Sequence, residues 1–409
     1  MSGLTNLHQG RGPNLHSSIR EVSYNFFIDG KKSCYLGNTD FLQALNTKHT
    51  SASIADSWEE EHLSRYAVKA ADSLGRACPE EPCSLRTCFQ RDRDRIVYSK
   101  SFRRLKHKTQ VFIAPEGDHY RTRLTHTLEV SGISRTAARA LRLNEDLAEA
   151  ISLGHDLGHT PFGHIGEDAL TLSLEKRAGR RFEHNEQSLR VVRDLENGGR
   201  GLNLCREVED GILKHTGPEK PETLEGQIVR IADRVAYINH DIDDALRAGI
   251  IKFGDLPSDE LSLLGDTCSR RIDHLVHDLV DSSRDEGRIS QSPGMKEAMN
   301  KMRAFLFERV YIGSVASKEM DRVSMLVESL FEHYMMHPEA LPGWKDGAGS
   351  DLATSVTDYI AGMTDRYAIR IFKQLFIPSE WPPKEKKGNI PYPYAGPDHK
   401  SPAQIREES

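Results

Sequence analysis

A histidine–aspartate pair, His155-Asp156, closes an apolar stretch of the chain and restricts the folds open to this sequence. His159 and His164 follow within nine residues of the pair. Imidazole and carboxylate groups are both ligands of divalent metal ions, and adjacent positions can supply one ion from a single short segment. The run therefore predicts a fold in which a buried helix ends at a polar, metal-binding centre.

Apolar spacing predicts two consecutive helices that both turn a histidine toward the protein interior. The stripe of the first helix consists of His126, Val130, Ile133, Ala137 and Leu141. The second helix is predicted to begin near Asn144, a residue type that caps helices, and His155 lies on its buried flank. Burying an imidazole without a partner is costly. Bonds to carbonyl groups would meet that need for either histidine alone, but the neighbouring Asp156 favours a divalent cation.

A third helix, predicted over residues 224–246, is the candidate source of a further ligand. Its apolar stripe consists of Leu224, Ile228, Ile231, Val235, Ile238, Ile242 and Leu246. Asp233, Tyr237 and Asp241 follow at four-residue steps on another face. Such a face is solvated in a simple amphipathic helix, whereas a tyrosine between two carboxylates is also typical of a pocket wall.

Length and composition indicate a large cytoplasmic domain with a polar segment at each end. The chain has 409 residues, of which 37% are apolar and 28% charged. It has neither an apolar run of about 18 residues nor a secretory signal, so no membrane association is expected. Residues 1–56 are an N-terminal extension of unknown role, 57–381 carry helical patterns, and 382–409 form a Pro-rich tail expected to be disordered. The six cysteines contain no CxxC pair, which favours free thiols.

Two short β-hairpins are predicted in this otherwise helical chain. Residues 24–36 contain an Asp-Gly turn signal. Residues 109–123 alternate polar and apolar side chains on either side of a Pro-Glu-Gly-Asp turn. If that turn centres after Glu116, Gln110 is expected opposite Arg123, and the amide and guanidinium groups would form a small polar platform.

Basic residues are concentrated between Arg91 and Lys108, although the net charge of the chain is −6. They are Arg91, Arg93, Arg95, Lys100, Arg103, Arg104, Lys106 and Lys108. This basic stripe can bind phosphate groups, including those of single-stranded nucleic acid. It can equally be a solvated helix face with ion pairs at i,i+4 spacing, and the charge pattern leaves both interpretations open.

Three separated elements resemble the H…HD…D pattern of the HD superfamily of metal-dependent phosphohydrolases. They are Arg123-Leu124-Thr125-His126, His155-Asp156 and Ile231-Ala232-Asp233. From about Trp58 to Trp381 the chain also resembles the bacterial deoxyguanosine triphosphate triphosphohydrolase-like family. The segments that carry this resemblance are 89–96, 102–112, 155–167, 182–187 and 358–367. The resemblance implies an all-α HD-domain helical bundle with a small β-hairpin near residues 109–123, and a phosphohydrolase domain spanning residues 57–381.

The resemblance also implies roles for individual residues. The implied metal ligands are His126, His155, Asp156 and Asp233. The implied catalytic residues beside the scissile phosphorus are His164, Glu167 and His184, and His159 is either a further catalytic residue or a polar group behind the ligands. The implied substrate contacts are Gln110, Tyr237 and Asp241 for the deoxyribose, Arg123 for the α-phosphate and Arg234 for another phosphate. His215 and His240 are interpreted as ordinary surface or capping residues.

The implied reaction is hydrolysis of a deoxynucleoside triphosphate such as dGTP to deoxynucleoside and triphosphate. A magnesium, manganese or iron ion held by two imidazoles and two carboxylates keeps open positions, and water attacks the α-phosphorus while His164, steered by Glu167, moves a proton. The implied partners are the nucleotide substrate and further copies of the chain in a homo-oligomer. Two alternatives stay open. One is an HD phosphohydrolase acting on another nucleotide, such as a 5′-nucleotidase or a phosphodiesterase; the other is an inactive regulatory or single-strand nucleic-acid-binding protein.

Overall fold

The computed structural model describes residues 26–28, 31–33, 54–110, 121–311, 314–342, 344 and 351–378, and these are mainly helical. The α-helices are α1 (Ile54–His62), α2 (Cys88–Tyr98), α3 (Lys100–Arg104), α4 (Arg123–Ala140), α5 (Glu145–Gly154), α6 (Gly163–Ala178), α7 (His184–Arg190), α8 (Glu196–Gly199), α9 (Arg206–Lys214), α10 (Leu224–Arg247), α11 (Ser258–Leu264), α12 (Cys268–Ser283), α13 (Pro293–Leu306), α14 (Ser314–Met336), α15 (Leu352–Ala361) and α16 (Asp365–Phe376). Short 3-10 helices cover Ala70–Asp72, Leu105–His107, Phe253–Asp255 and Pro338–Ala340, and π-helical turns cover Val191–Leu195 and Phe307–Tyr311. The predicted all-α fold class is confirmed.

The predicted helix starts are explained by local capping. Asn144 precedes α5, and its side-chain oxygen accepts from the backbone N–H groups of Asp146 and Leu147 at 3.1 and 3.2 Å. Thr223 caps α10 in the same way, accepting from the N–H of Gly226 at 3.1 Å. The long predicted helix therefore starts at Leu224, the first residue of its apolar stripe.

Helices α2, α4, α5, α9, α10, α12 and α13 enclose the first of two hydrophobic cores. Its fully buried side chains include Ile96, Val130, Leu147, Ile151, Ile212 and Ile228. Each such side chain contributes roughly 1.5–3 kcal/mol by leaving water. Helices α5 and α9 approach closely because glycines lie at their contact. A methyl group on Gly154 would lie 2.6 Å from Ile212 Cδ1, and one on Gly211 would lie 2.5 Å from Ile151 Cδ1.

Helices α6, α14, α15 and α16 enclose the second core. Its buried side chains include Phe162, Leu170, Leu330, Phe331, Val356 and Ile360. Polar contacts join the two cores along a seam. The buried Lys108 donates from Nζ to the carbonyls of His159 and Ala361, the latter at 2.7 Å. Asp365 accepts from the backbone N–H groups of Thr109 and Phe162, each at 3.0 Å.

The two predicted hairpins have different outcomes. β1 (Phe26–Ile28) pairs antiparallel with β2 (Lys31–Ser33), and Phe26 lies opposite Ser33, which is the register of the predicted Asp-Gly turn. In the second hairpin, an isolated antiparallel bridge joins Thr109 to Thr122, and residues 111–120 lie outside the described residues. The expected pairing of Gln110 with Arg123 is wrong, because the N–H of Arg123 instead donates to the carbonyl of Lys108 at 3.0 Å.

Several predictions concern residues at the two ends of the chain. The predicted tail, 382–409, and most of the extension, 1–56, lie outside the described residues. Within the described ranges, no helix combines the length and apolar character needed to cross a membrane. Within those ranges Cys83, Cys88, Cys205 and Cys268 are free thiols, as predicted.

Candidate active site

Helices α4, α5 and α10 of the first core bring His126, His155, Asp156 and Asp233 together, and we call these four residues the HD cluster. His126 Nε2 lies 3.1 Å from Asp233 Oδ1. His155 Nε2 lies 3.6 Å from Asp156 Oδ1 and 3.8 Å from Asp233 Oδ1. Ligands about 2.1 Å from one ion are themselves roughly 3–4 Å apart. Ligand atoms of His126, His155 and Asp156 lie within 4.8 Å of one another, which fits a single divalent cation, and Asp233 approaches both imidazoles beside them.

Hydrogen bonds orient both imidazoles of the HD cluster. His155 Nδ1 donates to the carbonyl of Ser152 at 2.6 Å, so its buried Nε2 carries a lone pair, and that atom has no hydrogen-bond partner among the described residues. His126 Nδ1 lies 2.9 Å from His240 Nε2, and His240 Nδ1 lies 2.9 Å from Asp241 Oδ1. Because the carboxylate accepts, His240 donates from Nδ1 and can accept at Nε2 from His126 Nδ1, which leaves His126 Nε2 facing Asp233. Outer bonds of this kind are typical of metal-binding histidines.

The two carboxyl groups of the HD cluster are ionised, as metal ligands must be. Burial by itself would raise the pKa of Asp156, but the Arg123 guanidinium and the nearby imidazoles hold it well below its usual range. Arg123 Nη1 donates to Asp156 Oδ2 at 2.6 Å. The pKa of Asp233 is likewise lowered, against the effect of burial, by its bond to His126 and the surrounding histidines. The Asp233 side chain keeps 20% of its surface exposed, so the cluster opens on this side.

His159, His164, Glu167 and His184 form a second group beside the HD cluster, which we call the flanking cluster. Glu167, on α6, lies 2.9 Å from His184 Nδ1 and 3.3 Å from His164 Nδ1 through its two oxygens. Burial alone would raise the pKa of Glu167, but His184 and His164 hold it far below its usual range. Burial by itself would lower the pKa of His184. The negative charge of Glu167 more than offsets that effect, so the pKa of His184 is raised. The three histidines of the flanking cluster therefore lie around one ionised carboxylate.

Buried polar atoms without partners are concentrated at predicted site residues. Among the described residues, the side-chain atoms of this kind are Gln110 Oε1, Arg123 Nε and Nη2, His155 Nε2, His159 Nδ1 and Nε2, Tyr237 Oη, and four atoms elsewhere. Burial raises the pKa of Tyr237 to about 12, so its hydroxyl is a neutral donor. Since native proteins rarely leave such atoms unpaired, the concentration indicates a place where a polar ligand binds.

Two histidines interpreted from the sequence as surface or capping residues are buried, although His215 does cap the C-terminus of α9. His215 follows α9 at its C-terminus, and His240 lies in α10, but both are buried rather than on the surface. The ring of His215 lies 5.0 Å from that of His155, and His240 contacts His126. A signal was present for His240, which follows Asp233 by seven residues and so shares its face of α10.

The two remaining predicted substrate contacts, Asp241 and Arg234, are buried or partly buried. Asp241 is buried and accepts from His240, behind His126. Arg234 lies one residue after Asp233 and is partly buried. A cavity of about 1250 Å³, lined by residues of α9 and by residues 67–78, contains none of the predicted site residues. The site is therefore located by its convergent polar atoms rather than by the volume of a cavity.

The basic stripe is not a single solvated face. Arg91 and Arg95 both pair with Glu80, and Arg93 pairs with Asp94 and Glu149. These partners do not follow the expected i,i+4 spacing. Lys108 is buried in the seam, so the stripe is divided between surface ion pairs and the protein interior.

Comparisons with known proteins identify the class. The HD domain family matches residues 123–238, and the phosphohydrolase-associated domain family matches residues 289–374. Together with the helical fold and the HD cluster, these matches define an HD-domain hydrolase, as predicted.

Individual relatives narrow the class to a family. A deoxyguanosinetriphosphate triphosphohydrolase-like protein of Caldanaerobacter subterraneus subsp. tengcongensis is 55% identical, over 80% of this chain and 96% of its own. Proteins of the same name from Clostridium perfringens and Syntrophus aciditrophicus are 48% and 41% identical, over 96% and 98% of their own length. A solved structure of a hypothetical protein from Aquifex aeolicus covers 70% of the chain with 19% identity and a TM-score of 0.39, too loose a match to add to these. The chain belongs to the deoxyguanosinetriphosphate triphosphohydrolase-like family.

Proposed function

We propose that this protein hydrolyses deoxynucleoside triphosphates, dGTP or a related nucleotide, to deoxynucleoside and inorganic triphosphate. The observation that carries the proposal is the HD cluster, in which two oriented imidazoles and two ionised carboxylates converge and the Nε2 atom of His155 has no partner among the described residues. The family name of its relatives supplies the substrate class.

A divalent ion fits the HD cluster. His126, His155, Asp156 and Asp233 would hold it, and two nitrogen and two oxygen donors suit manganese or iron as well as magnesium. When bound, such an ion polarises a phosphate oxygen and lowers the pKa of water. Nucleotide and water would enter on the side of Asp233, whose side chain is partly exposed.

The other predicted residues would bind the nucleotide and move the proton. The free Nε and Nη2 atoms of the buried Arg123 can donate to the α-phosphate while Nη1 keeps its bond to Asp156. Gln110 Oε1 and Tyr237 Oη offer an acceptor and a donor for the sugar. His164 is 67% exposed and bonded to Glu167, which would leave its other nitrogen free to transfer a proton between the attacking water and the leaving 5′-oxygen.

The product distinguishes this proposal from the other HD reactions. Purified protein is incubated with Mn²⁺ and each of the four deoxynucleoside triphosphates, and the phosphorus products are separated by ion-exchange chromatography or ³¹P NMR. We expect inorganic triphosphate and deoxynucleoside in equal amounts. Pyrophosphate or orthophosphate as the first product would reject attack at the α-phosphorus with loss of triphosphate. Turnover of nucleoside monophosphates or cyclic nucleotides instead would favour the nucleotidase or phosphodiesterase alternative.

Assembly and location are part of the same proposal. We infer a cytoplasmic homo-oligomer, by resemblance to the family. Light scattering of the purified full-length chain tests the assembly, and a monomeric mass at micromolar concentration would contradict it. Single-stranded nucleic acid is a weaker candidate partner, because Arg91, Arg93 and Arg95 already pair with carboxylates.

A further inference from the structure

Asp365, the first residue of α16 in the second core, holds two segments of the polar centre together. Its side chain accepts three hydrogen bonds, although the residue is only 1% exposed. Oδ1 accepts from the backbone N–H of Phe162 at 3.0 Å. Oδ2 accepts from the backbone N–H of Thr109 at 3.0 Å and from its hydroxyl at 2.7 Å. The two oxygens of one buried carboxylate thus set the relative position of the Phe162 and Thr109 segments.

The Phe162 segment determines where α6 begins. Phe162 has a φ of 63°, in the left-handed region that a bulky side chain rarely adopts, and Gly163 after it has a φ of 62°. Helix α6 starts at Gly163, so the imidazole of His164 and the carboxylate of Glu167 follow this turn directly. The bond from the Phe162 N–H to Asp365 holds the unusual turn in place, and with it the direction of two flanking-cluster side chains.

The Thr109 segment leads directly into Gln110, whose Oε1 is buried without a partner among the described residues. The backbone of Gln110 lies against that of Gly163, where an added methyl group would be 2.4 Å from the Gln110 carbonyl oxygen. On the other side of Thr109, the carbonyl of Lys108 accepts from the N–H of Arg123 at 3.0 Å. Holding Thr109 therefore sets where the Gln110 amide lies relative to α6 and to the Arg123 guanidinium.

We propose that Asp365 is a positioning residue of the reaction. Through Thr109 it places Gln110 for the sugar, and through Phe162 it places the flanking-cluster residues of α6 for proton transfer. The inference rests on the proposed function for what those residues do. A carboxylate suits this role because it has two acceptor oxygens, whereas the amide of asparagine has one oxygen and a donating NH₂ group. Of these two side chains of equal shape, only aspartate can hold both segments.

The chain contains a matched control for Asp365. Glu196 is also a buried carboxylate, and it accepts from the backbone N–H groups of Lys100 and Ser101 and from the Ser101 hydroxyl, at the start of α3. These bonds involve none of the predicted site residues. Full-length Asp365→Ala, Asp365→Asn and Glu196→Ala are compared with the wild type by kcat and KM for dGTP with Mn²⁺, by bound Mn²⁺ per chain and by the midpoint of urea denaturation.

We expect Asp365→Ala to release both segments. Its kcat should fall about 10²-fold, the effect of misplacing catalytic groups by about 1 Å, and its KM should rise about tenfold. In Asp365→Asn the oxygen can still accept from Phe162 while the NH₂ group donates to the Thr109 hydroxyl, so this variant should raise KM more than it lowers kcat. Both should keep bound Mn²⁺, because α4, α5 and α10 hold the HD cluster. Glu196→Ala should lower the urea midpoint without changing kcat or KM.

Wild-type kcat and KM in Asp365→Ala, or equal losses in Asp365→Ala and Glu196→Ala, would overturn the proposal and leave Asp365 a purely structural residue. If Asp365→Ala fails to fold, Asp365→Asn decides, and wild-type kinetics in it would overturn the proposal. If the wild type hydrolyses no deoxynucleoside triphosphate, the proposed function fails, and amide hydrogen exchange of Asp365→Asn tests the positioning separately. Exchange should then be faster at residues 109–110 and unchanged at residues 100–104, and wild-type exchange at 109–110 would overturn the proposal.

Discussion

The HD cluster and the flanking cluster lie side by side but are held in different ways. All four HD-cluster residues come from or follow helices of the first core, and both of its imidazoles are fixed from behind, by the Ser152 carbonyl and by the His240–Asp241 relay. In the flanking cluster a single carboxylate, on second-core helix α6, contacts both His164 and His184, and His159 has no fixed bond at either nitrogen. The first is a preformed site. The second depends on how the two cores meet.

The largest expected effect comes from breaking the HD cluster. Asp156→Ala removes the carboxylate that lies beside His155 and is contacted by Arg123. We expect loss of bound Mn²⁺ and a fall in dGTP turnover of roughly 10³-fold or more, since several kcal/mol of charge stabilisation go with the ion. Metal analysis and a triphosphate-release assay measure both, with His277→Ala as the matched control at an exposed position. Full metal content in Asp156→Ala would contradict the assignment of this cluster.

Breaking only the flanking cluster should separate metal binding from catalysis. Glu167→Gln keeps the shape of the side chain but removes the charge that raises the pKa of His184. We expect kcat to fall roughly 10²–10⁴-fold, the contribution typical of a proton-transfer group, while the ion at the HD cluster stays bound. With the neutral amide, the pKa of His184 falls, so any limb of the pH–rate profile that reports His184 moves to lower pH. An unchanged kcat would contradict the role of Glu167.

The relay behind His126 offers a smaller and more selective test. His240→Phe removes the acceptor for His126 Nδ1, and we expect Mn²⁺ affinity to fall about 10–100-fold, as is typical of groups that orient metal-binding histidines. His240→Gln supplies an oxygen acceptor and should recover most of that affinity. Competition with a fluorescent chelator measures both variants. Equal affinities for His240→Phe and the wild type would mean that the HD cluster is ordered without the relay.

The seam between the cores should contribute to stability rather than to metal binding. Lys108→Met leaves the carbonyls of His159 and Ala361 unpaired, and we expect a loss of about 1–3 kcal/mol in the free energy of unfolding. Urea denaturation of the metal-free protein measures it. Lys176→Met, at an exposed ion pair with Glu328, should change stability by less than about 0.5 kcal/mol. Loss of bound Mn²⁺ from Lys108→Met would show that the seam also holds the HD cluster in place.

The same lysine also predicts a pH dependence of stability. Burial, together with the nearby Arg104 and Arg123, lowers the pKa of Lys108 to about 7, well below the value of 10.5 for a solvated lysine. Between those values the unfolded chain binds one more proton than the folded chain, so the free energy of unfolding should rise with pH across this window. A neutral amine still has two N–H bonds for the two carbonyls. Lys108→Met should flatten the slope, and an unchanged slope would show that Lys108 stays charged.

The HD cluster could be predicted from the sequence because its signals are local or periodic. The stripe containing His126 and the cap at Asn144 each follow from neighbouring residues, and the stripe of α10 locates the helix that carries Asp233. Lys108 could not be predicted in the same way. Its sequence neighbours are basic, so it was assigned to the basic stripe. In the fold, however, it is buried against the carbonyls of His159 and Ala361, and Ala361 is far along the chain.

Two further failures have the same cause. The pairing of Thr109 with Thr122 depends on contacts of Lys108, Thr109 and Arg123 rather than on the turn alone. His215 ends a helix in the way that many surface histidines do, and only the packing of α9 against α5 turns it inward. Sequence patterns located the elements, whereas pairings between distant segments decided which polar residues became buried.

The glycines at the contact of α5 and α9 have a consequence for the polar centre. Gly154 immediately precedes His155, and Gly211 lies one helical turn before His215. Neither position has room for even a methyl group, so the two helix backbones pack closely at an apolar contact. That contact sets the distance between the two imidazoles. The spacing of the His155 and His215 rings is therefore set in part by two residues that have no side chain.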